Sequence, residues 1–171
     1  NAMASATVGS LLEIRKDRVR ESLSEFKNAD HRLEKVTTVN GRHFINDSKA
    51  TNINATWFAL ESMNSKVVWI VGGVDKGNDY GMVLDLVKKK CHTVVMLGRD
   101  AKSVERMRAA FDGHIDNLYH ATSMEEAVHK SYQFAGDGDT VLLSPACASF
   151  DMFDDYEDRG NRFKRVIRTL S

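Results

Sequence analysis

The sequence predicts a doubly wound, Rossmann-like α/β domain: a mostly parallel sheet of about six strands with an N-terminal antiparallel hairpin and helices on both faces. Three observations predict it. Apolar runs at Val67–Val71, Val94–Leu97 and Val141–Leu143 carry no polar alternation, as strands covered on both faces should. Stretches of helical periodicity separate them, which requires right-handed crossovers and therefore parallel strands. The dipeptide Asn40-Gly41, flanked by Leu33–Val39 and Arg42–Asn46, suits the positive φ angles of a two-residue type I′ turn and so marks a hairpin.

Along the chain, Asn1-Ala2-Met3 reads as a tag remnant ahead of an initiating methionine and is set aside from the fold. From Ser10 to Lys27, Leu11, Leu12, Ile14, Val19, Leu23 and Phe26 recur at helical spacing among charges and predict one amphipathic helix ending near Asn28. Residues 1–30 are thus read as tag and linker helix, and 31–171 as the domain. After the hairpin, helices are expected at Asn54–Met63, Tyr80–Lys89, Ala101–Phe111, Ser123–Phe134 and Phe153–Leu170, with a short strand at Asn117–His120.

Composition narrows the function classes. Lys and Arg number 24, Asp and Glu 24, so there is no bulk positive charge for nucleic acid, and an anion must be met locally. The two cysteines, Cys91 and Cys147, are too few for a secreted disulfide framework and form no CxxC pair, which points to a reducing cytoplasm. No apolar run approaches the roughly 18 residues that span a bilayer, so no membrane partner is expected.

In a doubly wound sheet, ligands bind beyond the carboxyl ends of the strands. Three loops there are chemically unusual. The first, Asn46-Asp47-Ser48-Lys49-Ala50-Thr51-Asn52, sets an acid, an amine, hydroxyls and amides ahead of a helix. The second, Gly72-Gly73-Val74-Asp75-Lys76-Gly77-Asn78-Asp79, lets backbone approach a ligand while Lys76 meets an anion. In the third, Ser144-Pro145-Ala146-Cys147-Ala148-Ser149-Phe150, small residues follow the most apolar strand and precede a helix start, whose free N–H groups attract a carboxylate or phosphate.

Each loop alone has a structural explanation: Asp47, Ser48 or Asn52 as a helix cap, Gly72-Gly73 as an ordinary turn, Cys147 as a small buried filler. Together, on one edge of one sheet, they suit a small molecule bearing carboxylates. The six histidines show no metal-ligand grouping, and no metal site is expected. The chain also lacks GxSxG, GxGxxG and GxxxxGK[ST], the key elements of hydrolase, dinucleotide-binding and self-contained ATPase readings. Cys147 as a nucleophile has no histidine near it in sequence.

These loops, with His31-Arg32-Leu33-Glu34 before them and Asp151, Phe153, Tyr156, Glu157, Arg159, Gly160 and Phe163 after them, resemble the Mur ligase family from His31 to the end. The Asp47–Asn52 stretch is similar to the branch that adds D-glutamate to UDP-N-acetylmuramoyl-L-alanine in peptidoglycan synthesis. The resemblance implies a cytoplasmic, monomeric, ATP-dependent amide-forming ligase of three domains. ATP and magnesium would be held mainly by a central domain, and none in this part. The chain would be the last domain, inactive alone, working against its own N-terminal and central domains.

By motif position, Lys76 and Thr51 would hold one carboxylate of D-glutamate, and Ser149, the Phe150 N–H and the Tyr156 region the other. Lys49 would lie near the acyl phosphate, making Lys49 and Lys76 the catalytic lysines, while Arg32, Asp47 and Lys49 would meet the nucleotide. The alternative is a non-catalytic module of the same fold that senses a small anion; it would not need Arg32, Asp47 and Lys49.

Overall fold

The computed structural model describes residues 2–24 and 29–170, apart from the side chains of residues 2, 3, 5, 23 and 24. Two strands open the sheet, β1 (Glu34–Val39) and β2 (Arg42–Asn46), paired antiparallel across Asn40 and Gly41 at φ 46° and 78°. Both central residues of the turn therefore take the positive φ that the Asn-Gly pair predicts. Next come α3 (Ile53–Glu61), β3 (Val67–Gly72), α4 (Gly81–Lys90), β4 (Cys91–Leu97), α5 (Ala101–Phe111), β5 (Asn117–Ala121), α6 (Met124–Phe134), β6 (Thr140–Ala146) and α7 (Tyr156–Ile167).

The strands lie in the order β1-β2-β6-β3-β4-β5, with every pairing beyond the hairpin parallel. Residues of β3 alternate between two cores. Val67, Trp69 and Val71 meet α3, α4 and α5, including Leu60, Val87 and Phe111. Val68 and Ile70 face the side of α6 and α7, with Val128, Phe163 and Ile167. This is why β3 reads as an unbroken apolar run: both faces are covered.

Before the domain, the expected single helix is instead two, α1 (Ala2–Leu11) and α2 (Lys16–Ser24). Glu13, at φ 55°, turns the chain, and Ile14 N–H donates to Gly9 O at 2.8 Å. A Cβ at Gly9 would lie 2.9 Å from Val19 Cγ2, so the missing side chain lets the helices pack at close range. Helical spacing continues across such a turn and does not reveal it. The expected end near Asn28 lies outside the described residues.

Candidate functional site

Strands β2, β6 and β3 are neighbours, so the three unusual loops leave adjacent positions on one sheet edge. The chain leaves β2 and β3 toward helices of one face and β6 toward α7 on the other. That divergence opens the crevice in which doubly wound folds bind ligands.

The loops are joined to one another. Ala146 N–H donates to Ala50 O at 2.9 Å, linking the third to the first. Val74 and Ala148 exchange N–H···O bonds of 2.9 and 3.2 Å, linking the second to the third. Pro145 sits in β6 past its last pairing with β2, at the register shift opposite Ile70 and Gly72, where a lost N–H breaks no β2 rung. Ala146 then takes φ 59° and turns its carbonyl to the Asn78 amide, 3.0 Å away.

Asp47 is buried. Its Oδ1 accepts from Leu33 N–H at 3.2 Å and its Oδ2 from Ser144 Oγ–H at 2.8 Å. Burial pushes its carboxyl up to about 6, against the opposing pull of the Ser144 and Leu33 bonds and of Arg32. A raised carboxyl favours the folded state when protonated, so this contribution is complete below the unfolded value of 3.8 and is lost as pH rises through about 6. Asp47→Asn is therefore expected to gain roughly 2 to 3 kcal/mol on the parent between pH 4 and 7. Urea unfolding across that range checks it, and a pH-independent difference would refute it.

Arg32, Asp47 and Lys49 line one groove of about 460 Å³ with Ala55 and the exposed Phe58 ring. Lys49 Nζ lies 5.2 Å from the Tyr156 ring centroid, and the His31 ring meets that ring edge-on at 6.2 Å. Tyr156, expected on the glutamate side, thus also steers the groove lysine. His31 and Leu33 take φ 63° and 45° on either side of Arg32. His31 is held by Asn46, whose amide lies 2.9 Å from His31 Nδ1, and by Glu34, whose Oε2 accepts from His31 N–H at 3.0 Å, while Leu33 N–H is held by Asp47.

The second loop displays its lysine by turning its acid inward. Asp75 Oδ1 accepts from the Gly77 and Asn78 N–H groups at 2.9 and 2.8 Å, and Arg106 Nε is 3.3 Å from Oδ2. Lys76 projects outward, without a hydrogen bond or ion pair among the described residues. Thr51 is likewise exposed, Ser149 is buried, and Phe150 is 70% exposed.

Two expectations change. The helix after the third loop begins at Tyr156 rather than near Phe153, capped by Asp155, whose Oδ1 accepts from Asp158 N–H at 2.7 Å. With Glu157 and Asp158 also in its first turn, that helix start repels anions, so it is the loop and not the helix that can offer N–H groups. There, Met152 and Phe153 N–H donate to Ser149 O, leaving the Phe150 N–H without an acceptor among the described residues. The cap reading holds for Asn52, whose Oδ1 accepts from Ala55 N–H, whereas Asp47 bonds across the sheet edge. Cys147 is packed beside Tyr80 and Asn78, and burial pushes its thiol up to about 11, so it is no thiolate nucleophile.

The residue that the loop reading overlooked is Arg159, buried on α7 and bonded to all three loops. Its signal was its place on the apolar stripe of that helix, four residues before Phe163 and seven before Val166.

Fold and loops define a doubly wound α/β domain with three polar loops at its switch-point crevice and a second polar groove beside it. The chain belongs to the family described as Mur ligase, glutamate ligase domain, which matches residues 31–147. It is 53% identical to the UDP-N-acetylmuramoylalanine–D-glutamate ligase of Christiangramia forsetii, over 99% of this chain and 38% of that protein. Against the enzyme of the same name from Porphyromonas gingivalis the figures are 51%, 99% and 37%. The chain therefore spans little more than a third of these relatives. Among solved structures, UDP-N-acetylmuramate-alanine ligase from Thermotoga maritima matches with TM-score 0.68 at 16% identity, over 99% of this chain and 37% of that one. MurF ligase from the same organism, in complex with ADP, gives 0.62 at 13%, over 96% and 37%. At these identities the likeness is one of fold.

Proposed function

We propose that this chain is the glutamate-binding domain of a cytoplasmic ATP-dependent ligase that joins D-glutamate to UDP-N-acetylmuramoyl-L-alanine through an acyl phosphate. One observation carries the reading: the polar loops that follow β2, β3 and β6 share a sheet edge with a groove that holds Arg32, Asp47 and Lys49. A sensor of glutamate alone has no use for that groove. Lys76 and Thr51 hold one carboxylate of the amino acid, and Ser149 with the Phe150 N–H holds the other, Tyr156 standing beside them. Arg32 and Lys49 supply positive charge for phosphate oxygens, and Asp47 an acceptor for a ribose hydroxyl. By the same resemblance, magnesium is assigned with ATP to the central domain. When the domains close, the glutamate amine attacks the acyl carbon, phosphate leaves, and water is kept from the intermediate.

The test is a titration of this chain with D- and L-glutamate, following the amide resonances of Thr51, Lys76, Ser149 and Phe150. Shifts confined to this set and stronger for the D isomer are expected. If none appear here, and none in the full-length protein with ATP and the nucleotide substrate, the reading fails. In the full-length enzyme Ser149→Ala is expected to lose about 1 to 3 kcal/mol in kcat/KM for D-glutamate, the worth of one hydrogen bond to a charged group. Loss of folding instead would assign Ser149 a structural role.

A further inference from the structure

We propose that Arg159 is a positioning residue, a buried guanidinium that sets the spacing of the three ligand loops and so couples the glutamate site to the nucleotide groove. The inference rests on the function proposed above. The Arg159 side chain rises from α7 and spreads its donors over one group or more from each loop. Nε donates to Ser48 Oγ at 2.9 Å and Nη2 to Ser48 O at 2.8 Å, both in the first loop. Nη1 donates to Cys147 O at 3.0 Å in the third and lies 3.5 Å from Gly72 O at the head of the second.

The chemistry of those partners distinguishes this from an ordinary buried ion pair. All four acceptors are carbonyl or hydroxyl oxygens, and among the described residues Arg159 has no carboxylate within ion-pair distance. An interior cation is normally paired, because removing charge from water is unfavourable. Here the cation is held by three loop carbonyls and the Ser48 hydroxyl, and burial lowers its pKa to about 10. A planar fork can hold Ser48, Cys147 and Gly72 at fixed mutual distances, which a compact ammonium cannot. Ser48 lies between Asp47 and Lys49, Gly72 precedes the Lys76 turn, and Cys147 is two residues before Ser149. The Ser48 hydroxyl passes the constraint on, donating to Tyr156 O at 2.7 Å, beneath the ring that meets Lys49.

Arg159→Lys in the full-length enzyme tests this. Expected is a rise of tenfold or more in KM for D-glutamate, a smaller rise for ATP, and cooperative thermal unfolding retained. A purely structural role would lower the active fraction, and hence apparent kcat, while leaving both KM values at parental level; that result would overturn the proposal. Should the variant not fold, the parental enzyme still decides. The Arg159 Nε–H resonance, observed with selectively labelled arginine, is expected to shift on D-glutamate binding, and an unmoved resonance at saturation overturns the coupling. If the parental enzyme shows no D-glutamate-dependent release of ADP at all, it is the function that fails and not the assignment of Arg159.

Discussion

Replacing Lys76 with alanine in the full-length ligase is expected to lower kcat/KM for D-glutamate by roughly 30- to 1,000-fold, about 2 to 4 kcal/mol. The magnitude follows from what the change leaves behind. In the closed enzyme a substrate carboxylate would be taken from water without its charged partner, and an unmatched buried charge loses far more than a neutral hydrogen bond. Lys76 is exposed and the Asp75 turn beneath it is built from backbone N–H groups, so the variant should unfold within about 0.5 kcal/mol of the parent. Activity and stability therefore separate. Steady-state kinetics with D-glutamate varied, beside urea unfolding, checks both, and an unchanged catalytic efficiency would remove Lys76 from the site.

Gly73→Ala is expected to act in the opposite sense, through the fold. Gly73 takes φ 124°, which residues with a Cβ rarely adopt, and an added Cβ would stand 2.1 Å from Ala148 O and 3.3 Å from Cys147 Cβ. The obstruction is backbone of the adjoining loop, held by the Val74–Ala148 bridge, and cannot swing aside. Backbone strain and overpacking together amount to about 2 to 5 kcal/mol. Chemical unfolding of this chain measures it. Relief by moving the loops apart would instead preserve stability and abolish the D-glutamate-dependent shifts of Ser149 and Phe150; a variant unaltered in both respects would contradict the geometry.

Much of the candidate site was legible because its chemistry is local. Lys76, Thr51, Ser149 and Asp47 lie in short strand-to-helix loops, and in a parallel sheet every such loop emerges on the same edge. Arg159 was not legible in the same way. Its partners lie 111, 87 and 12 residues away, and an arginine on an amphipathic helix is ordinarily a solvated one. The Asp47–Ser144 bond spans 97 residues and was hidden for the same reason, so Asp47 could equally be read as a helix cap.

By itself the sequence determined the class of fold, the hairpin turn and the alternation of strand and helix, since hydrophobic period and the φ preferences of Asn-Gly act over a few neighbouring residues. The break between α1 and α2 and the acid-capped start of α7 escaped it, because helical spacing runs on through a turn and Asp155 gives its role away only once its bond to Asp158 is formed. Tertiary structure alone decided that β6 lies between β2 and β3, that the loops of those three strands adjoin, and that one buried guanidinium holds them together. These are contacts between residues distant in the chain. They form only when the two cores close on the faces of the sheet, so no local pattern of residue types could specify them.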